Sequence, residues 1–337
     1  MSNRKIVLAR RPHGIPVLED FRVEETPVPE PGPGEVVVRH THLGLAPRAR
    51  IQMSDEGAAA SDRMELGGVI HCAIAGEVVA SNNPAFAVGT KVASVLGGWQ
   101  TYSVSDGAML NPIDTTVAPP SVWMGNLGIS GFTAWVGLRE IGKPQPGETI
   151  VVSSAAGAVG LVASQIAALR GARVVGIAGG AEKCRYVEKH FGAEVCVDYH
   201  ASDFLEQLAA ACPDGIDIYF DNVGGAVRDA TWPLMNKFGR VIVCGQISQY
   251  VRKDLESGPD WYPLLTKSLL VQGLSFAAFL HLQDEFIAEA GAWTTSGKLV
   301  SLEHEVVGIE QAPQAFIDML EGRSMGKVVV ELEGNPS

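Results

Sequence analysis

The chain has 337 residues, of which 46% are hydrophobic and 38 are glycine, and this predicts two well-packed α/β domains. Its 26 basic and 38 acidic residues give a net charge of -12, which excludes a surface built to neutralise nucleic-acid phosphates. No apolar run reaches membrane-spanning length and the first residues lack the apolar core of a signal peptide. We therefore expect a cytoplasmic protein with no nucleic-acid or membrane partner. The five cysteines contain no Cys-x-x-Cys pair, so neither a disulfide framework nor a structural zinc site is encoded.

Residues 1 to about 120 are rich in valine, glycine and proline and contain short stretches in which polar and apolar residues alternate. Residues 35–39 and 76–79 are examples, and such stretches are typical of a small β-barrel-like domain. His40 and His42 share a face at period two and resemble a metal pair. Because no third ligand is evident, we interpret them as surface histidines.

From Gly147 to about Leu274, apolar strands alternate with helical stretches, as in a parallel sheet covered on both faces. The six predicted strands are residues 149–153, 173–177, 194–197, 216–220, 240–244 and 269–274. Six strands suffice for a complete doubly wound domain of the Rossmann type.

The last part of the chain does not continue this alternation. It predicts helices over 283–293 and 310–321 and strands over 298–303 and 327–332, pieces that we expect to rejoin the N-terminal domain. The predicted domains are residues 1–125 with 295–337, and residues 126–294. We expect the ligand cleft between them, at the carboxyl ends of the sheet strands.

A dinucleotide site is indicated where the β-branched run before Ser153 turns through small residues into an amphipathic helix. That geometry presents free backbone N–H groups and the positive helix end to a pyrophosphate. Ala155 stands where the usual fingerprint has its first glycine, and Gly157 and Gly160 take the second and third places. Because small residues also ease helix packing, this gapped match needs support from the surrounding sequence.

That support comes from the end of the second strand. An NAD site places Asp or Glu there to bind the ribose, whereas an NADP site lacks the acid and has a cation nearby. Here Ala178 and Gly179 are uncharged and Lys183 follows. The alternative is that Lys183 is an ordinary solvated helix lysine, but the missing acid favours NADP(H).

Several motifs in one order resemble the medium-chain dehydrogenase/reductase superfamily. They occupy residues 98–102, 127–134, 155–160 and 176–184, followed by Asp-Asn-Val-Gly-Gly at 221–225 and Cys-Gly-Gln-Ile-Ser-Gln-Tyr at 244–250. Within the superfamily the chain is similar to the zinc-independent leukotriene B4 dehydrogenase/prostaglandin reductases and alkenal double-bond reductases. The resemblance implies a GroES-like β-barrel-type catalytic domain beside the Rossmann domain. It also implies a homodimer that uses NADPH to reduce the carbon-carbon double bond of α,β-unsaturated aldehydes or ketones.

The resemblance also implies the site residues. Those carried over as coenzyme-binding are Gly157, Ala158, Val159 and Gly160 at the pyrophosphate, Gly179, Lys183 and Tyr199 around the 2′-phosphate, and Asn222, Cys244, Gly245, Ile247, Ser248, Tyr250, Leu274 and Phe276 around the ribose and nicotinamide, together with Ser324. On the substrate side, Arg48 and Arg50 are candidates to hold an anionic end, and Tyr262 adds aromatic surface. A solvated loop for the arginines and core packing for the tyrosine are the alternatives.

The sequence does not predict a catalytic metal. The alcohol-dehydrogenase branch uses Cys or Asp near position 46, a Gly-His-Glu motif near 70 and a four-cysteine lobe. This chain has Ala46, Gly-Gly-Val-Ile-His at 67–71 and no lobe, so the ligand count is not met. The chain also departs from its relatives at 46–50 and 322–327, and the first departure lies on the substrate side.

Without a metal, reduction of an enone needs a donor for the negative charge that develops on the carbonyl oxygen. The candidates are the Tyr250 hydroxyl and the ribose hydroxyl of the coenzyme; a tyrosine that only packs on the nicotinamide is the alternative. Two other functions stay open at this point. One is an NADPH:quinone oxidoreductase, and the other is an NADPH-binding protein without turnover.

Overall fold

The computed structural model describes residues 2–54, 63–251 and 257–332. Two compact units make up the chain. The first unit is Met1–Gly125 with Leu302–Ser337, and the second unit is Asn126–Ser301. Among the described residues, none of the helices combines the length and apolar character needed to cross a membrane. The cytoplasmic location stays a prediction.

The described strands are β1 (Ser2–Leu8), β2 (Phe21–Pro27), β3 (Val36–Gly44), β4 (Ala73–Ser81), β5 (Lys91–Ser94), β6 (Tyr102–Ser105), β7 (Leu110–Pro112), β8 (Thr149–Ser153), β9 (Arg173–Ala178), β10 (Val195–Asp198), β11 (Ile216–Asp221), β12 (Met235–Val243), β13 (Leu270–Gly273), β14 (Glu303–Val307) and β15 (Lys327–Glu331). The helices are α1 (Arg48–Gln52), α2 (Pro120–Met124), α3 (Ile129–Val136), α4 (Ala158–Leu169), α5 (Ala181–His190), α6 (Phe204–Ala211), α7 (Gly225–Thr231), α8 (Tyr262–Lys267), α9 (Gln283–Thr295) and α10 (Ala312–Leu320). A π-helical turn, Gly137–Gly142, continues α3.

The first unit is built on a sheet in which the order is β14-β15-β3-β4-β5-β7, with β6 also paired to β3. β14 and β15 come from the end of the chain, and β15 pairs antiparallel with β3. Beside the sheet, β1 and β2 form an antiparallel hairpin. The core includes Trp99, which stacks on Phe21 at 5.6 Å and meets Phe316 edge-on at 5.4 Å. Both ends of the chain thus contribute to one core.

The second unit is a parallel six-stranded sheet in the order β10-β9-β8-β11-β12-β13. Every residue of β8 is buried, as expected of a strand covered on both faces. The strand order reverses between β8 and β11, and ligands of such sheets bind outside the carboxyl ends at this reversal. The predicted α/β fold class, with a Rossmann-type sheet, is confirmed.

Some predicted element bounds were wrong. Residues 298–302 are not strand, because the amides of Lys298 and Leu299 donate to the carbonyl of Trp293 as the last turn of α9 closes. The backbone of Val300 is bonded by the side chain of Gln165, at 2.7 Å from N and 3.0 Å from O. The strand begins only at Glu303. Similarly, β12 starts five residues before the predicted 240 and contains an irregularity in its pairing with β11.

The interpretation of His40 as a surface histidine was also wrong. Its side chain is 3% exposed, and Nε2 lies 2.7 Å from the hydroxyl of Ser103 on the paired strand β6. Burial lowers the pKa of His40 to about 4. His42 is half-buried, and burial lowers its pKa as well. The sequence pattern could not show this, because the partner lies on a strand about sixty residues away.

His40 should make the folded state sensitive to acid. Its pKa is about 4 when folded and near 6.5 when unfolded, so only the unfolded chain takes up this proton between those values. We expect about 3 kcal/mol of stability to be lost as the pH falls through that window. Urea unfolding across this window should give a shallower pH dependence for His40→Gln than for the wild type. The exposed His13→Gln is the control, and equal slopes for wild type and His40→Gln would contradict the assignment.

Candidate functional site

Most residues predicted to bind a coenzyme follow the carboxyl ends of the six parallel strands. Gly157 to Gly160 follow β8, Gly179 and Lys183 follow β9, Tyr199 follows β10, Asn222 follows β11, residues 244–250 follow β12, and Leu274 and Phe276 follow β13. Because the strands are parallel, their ends lie on one edge of the sheet. The structure therefore brings this predicted set to a single edge of the second unit.

The turn after β8 explains the departure from the glycine fingerprint. The left-handed backbone conformation falls on Ser154, with φ at 51°, so Ala155 needs no glycine there. Gly157 is the N-cap of α4. A Cβ on Gly160 would overlap the carbonyl oxygen of Ser154 and lie 2.9 Å from Cα of Ala155. The close approach of helix and strand, which exposes the first N–H groups of α4, thus depends on Gly160.

Hydrogen bonds join β8 to β11 where the strand order reverses. The backbone amide of Asn222 donates to Ser153 Oγ at 2.8 Å, and the side-chain Nδ2 of Asn222 donates to the main-chain carbonyl of Ser153 at 2.8 Å. Ser153 is fully buried and its hydroxyl in turn donates to the carbonyl of Phe220 at 3.3 Å. The position of Asn222 is therefore fixed from the neighbouring strand.

Asp221 organises the loop that follows β11. Its Oδ1 accepts bonds from the backbone of Val223 (3.0 Å) and Gly224 (2.8 Å) and from the hydroxyl of Tyr219 (2.9 Å). Its main-chain carbonyl accepts from the amides of Cys244 and Gly245. Asp221 is 1% exposed and burial raises its pKa, while the backbone bonds act in the opposite direction. Sequence reasoning gave this residue no role, although it opens the Asp-Asn-Val-Gly-Gly motif.

The segment after β12 folds so that the Tyr250 side chain lies against the backbone of Gln246 in the same segment. The Tyr250 hydroxyl accepts from the amide of Gln246 at 3.2 Å. A Cβ on Gly245 would lie 3.3 Å from that hydroxyl oxygen, so glycine gives the phenol its space. The hydroxyl of Ser248 donates to the carbonyl of Val223 at 2.6 Å, which ties this segment to the β11 loop. Ile247 begins a 3-10 turn that ends before Tyr250.

Burial raises the pKa of Cys244 to about 12, so its thiol is neutral near pH 7. This agrees with a small packing group and argues against a nucleophile. Directly after β13, the amide of Leu274 donates to the Val243 carbonyl at 2.9 Å, and a Cβ on Gly137 would come within 2.8 Å of the Leu274 side chain. Phe276 is half-buried at the start of a 3-10 segment.

Polar side chains lie close together at the carboxyl ends of β9 and β10. Gly179 lies beside Tyr199, and a Cβ on this glycine would be 3.1 Å from the tyrosine hydroxyl. Lys183 is half-buried in the first turn of α5, where burial lowers its pKa. Asp198, which sequence reasoning missed, is also close, but its Oδ1 accepts the Gly180 amide at 2.8 Å. The backbone amide of Gly180 thus compensates part of the negative charge of the Asp198 carboxylate.

The other predicted site residues do not follow the strands of the parallel sheet. Arg50 is 4% exposed, and its guanidinium donates to the carbonyls of Gly14 (2.8 Å) and Pro12 (3.3 Å) and to Ser54 Oγ. These contacts support a structural role in the first unit rather than the hold on an anionic substrate that the sequence suggested. Arg48 is exposed at the start of α1, and Ser324 is half-buried between α10 and β15. Their predicted roles stay predictions.

Tyr262 begins α8 and is 66% exposed, so the structure does not support the core packing that was its alternative. As for a metal, the described residues contain no group of three or more His, Cys, Asp or Glu that could hold one. Position 46 is alanine, as the sequence already shows.

The fold, together with the predicted coenzyme-binding residues at the carboxyl edge of the parallel sheet, defines the class of protein. It is an oxidoreductase of the dehydrogenase type built from two units. The family described as "N-terminal domain of oxidoreductase" matches residues 4–113, and the one described as "Zinc-binding dehydrogenase" matches residues 158–294. The second description names zinc, whereas no metal-ligand set is found among the described residues.

Relatives match over almost the whole chain. An NADPH-dependent curcumin reductase of Escherichia coli is 46% identical, over 99% of this chain and 98% of the relative. A 2-alkenal reductase (NADP(+)-dependent) of Nicotiana tabacum is 34% identical, over 98% and 97%. The crystal structure of CurA from Vibrio vulnificus in complex with NADPH has a TM-score of 0.92 and 42% identity, and the match covers 98% of this chain and 100% of that one. The chain therefore belongs to the alkenal and prostaglandin reductase family of the medium-chain dehydrogenase/reductase superfamily, as its sequence predicted.

Proposed function

We propose that this protein is an NADPH-dependent reductase of the carbon-carbon double bond in α,β-unsaturated aldehydes or ketones. The observation that carries the proposal is the edge at the end of β9, where Gly179 is uncharged and Lys183 and Tyr199 lie close by. Such an edge suits the 2′-phosphate of NADP(H). The names of the Escherichia coli and Nicotiana relatives, an NADPH-dependent reductase and an alkenal reductase, support the same coenzyme and substrate class.

The residues present fit the coenzyme. Gly160 lets the start of α4 pack closely against Ser154 and Ala155, and the N–H groups of the first turn of that helix would hold the pyrophosphate. Asn222, fixed by Ser153, and residues 244–250 would hold the ribose and nicotinamide. When bound, NADPH supplies a hydride.

Tyr250 is the proposed proton donor. Reduction at the β-carbon leaves negative charge on the carbonyl oxygen, which a positioned hydroxyl stabilises and then protonates. The amide of Gln246 donates to the phenol oxygen, and a hydrogen bond of this kind stabilises the anion left when the proton moves. Gly245 allows the hydroxyl to occupy this position.

Tyr250→Phe should lower kcat by about tenfold while the Kd for NADPH stays within about twofold of wild type. The expected loss is smaller than the hundredfold or more that is usual for a general acid, because the coenzyme ribose hydroxyl is a second candidate donor. Steady-state rates with an enone and fluorescence titration with NADPH measure the two quantities. Tyr186→Phe, in the second half of α5 and away from the strand ends, is the matched control and should change neither. Unchanged turnover in Tyr250→Phe would reject the proton-donor role.

A substrate screen tests the function itself. NADPH and NADH oxidation should be followed separately with 2-alkenals, cyclic enones, aryl enones and a benzoquinone. Rapid oxidation of NADPH by enones, and slow oxidation by the quinone, is the expected result. A quinone preference would favour a quinone oxidoreductase, and tight NADPH binding without oxidation would favour a protein that has lost turnover.

We also propose that the protein is a homodimer joined along β13. This strand ends the six-stranded sheet and leaves Leu270 48% exposed. The neighbouring Trp261, Tyr262 and Leu265 are 55%, 66% and 77% exposed. An unpaired edge strand with apolar neighbours favours pairing with a second copy. Sedimentation equilibrium that gave only the monomer mass would reject this arrangement.

A further inference from the structure

The polar ring atoms of Tyr199 and His200 lie beside Gly179, at the ends of β9 and β10. A Cβ built on Gly179 would lie 3.1 Å from the hydroxyl oxygen of Tyr199 and 3.1 Å from Nε2 of His200. The two rings are neighbours, with centroids 4.1 Å apart and planes inclined by 42°. The phenol and the imidazole therefore present their polar atoms to the same small space, which exists because residue 179 has no side chain.

Asp198 holds this pair against the start of α5. Its Oδ1 accepts the amide of Gly180 at 2.8 Å and the amide of His200 at 3.0 Å. The bond from Gly180 is the main reason that the pKa of Asp198 lies below its ordinary value, and the His200 bond and charge add to it. The carboxylate thus ties the backbone of His200 to the start of the helix that carries Lys183, and these two backbone donors take up one of its oxygens.

We propose that His200 is a third coenzyme-selecting residue, which binds the 2′-phosphate together with Lys183 and Tyr199. The inference rests on the proposed use of NADPH. A phosphomonoester carries a charge of about -1.5 to -2 near pH 7, and a protonated imidazole donates a charge-assisted hydrogen bond to it. His200 has no part in the resemblance from which the other two residues were predicted.

A charged imidazole gives this selection a pH dependence. The other titratable groups of this edge are Asp198 and Tyr199 on the same segment and Glu182 and Lys183 on α5. Carboxyl, phenol and ammonium groups ordinarily titrate outside the range from about pH 6 to about pH 8.5, whereas imidazole titrates within it. The preference for the phosphorylated coenzyme contributed by His200 is therefore larger at the acid end of this range.

The experiment compares two probes, adenosine 2′,5′-bisphosphate and adenosine 5′-monophosphate, by calorimetry on the wild type and His200→Gln. At about pH 6, His200→Gln should bind the bisphosphate about tenfold more weakly than the wild type. At about pH 8.5 the difference should fall below about threefold. The monophosphate, which lacks the 2′-phosphate, should bind both proteins equally at both pH values. The phosphate's own protonation is the same in both measurements and cancels in the ratio.

His190→Gln is the matched control, because this histidine also lies against a tyrosine, Tyr186 at 4.6 Å, but at the far end of α5. It should bind both probes like the wild type. If His200→Gln matches the wild type at both pH values while the wild type still prefers the bisphosphate, the role of His200 is overturned and NADPH use stands. If the wild type binds both probes equally, the proposed coenzyme fails and His200 with it.

Discussion

Gly160→Ala should lower the affinity for NADPH by about a hundredfold. The added Cβ would overlap the carbonyl oxygen of Ser154 and lie 2.8 Å and 2.9 Å from two further backbone atoms, the Ser154 carbonyl carbon and the Cα of Ala155. Because these atoms belong to the backbone, no side-chain rotation relieves the overlap, and the turn must open. Opening the turn moves the first N–H groups of α4 away from the pyrophosphate. Hydrogen bonds to charged groups contribute about 1.5–3 kcal/mol each, and about 2.7 kcal/mol corresponds to a hundredfold in affinity. Fluorescence titration with NADPH measures the effect.

Gly291→Ala is the matched control for this substitution. Gly291 lies within α9 of the same unit, and a Cβ built there would meet nothing within 4 Å. Since alanine favours helix over glycine by up to about 1 kcal/mol, this variant should be as stable as the wild type or more so and should bind NADPH normally. Wild-type affinity in Gly160→Ala would show that the start of α4 is not where the pyrophosphate is held.

The sequence allowed the nucleotide-type sheet to be predicted because its signals are local. Fully buried parallel strands appear as continuous β-branched runs, and β8 and β9 lie within one residue of their predicted bounds. Since parallel strand ends share one edge, the position of residues that follow each run could also be predicted.

The rest depended on contacts between distant segments. His40 resembles a surface residue until β6 brings Ser103 to its ring. The strand predicted over 298–303 does not form at its start because Gln165, more than a hundred residues away, bonds the backbone of Val300. The left-handed conformation at Ser154, which removes the need for glycine at position 155, is not visible in residue type either. In each case the partner, rather than the residue, determines the outcome.

Asp221→Ala should lower the free energy of unfolding by about 4 kcal/mol. It leaves two buried donors and one partly buried donor without their acceptor, at about 1–3 kcal/mol each, and removal of a buried carboxyl offsets part of this cost. The donors are the amides of Val223 and Gly224 and the Tyr219 hydroxyl. Asp221→Asn keeps an acceptor oxygen in the same place, and because burial already disfavours the charge, it should cost only about 1 kcal/mol. Urea unfolding measures both variants.

Asp221→Ala also separates the two halves of the proposed coenzyme site. Asp221 fixes the loop that carries Asn222 and, through its carbonyl, the amides of Cys244 and Gly245. The edge formed by Gly179 belongs to other strands of the sheet. Below its unfolding transition, Asp221→Ala should therefore bind NADPH about tenfold more weakly yet bind adenosine 2′,5′-bisphosphate like the wild type. Equal losses for both ligands would mean that Asp221 stabilises the unit as a whole and does not position the nicotinamide side specifically.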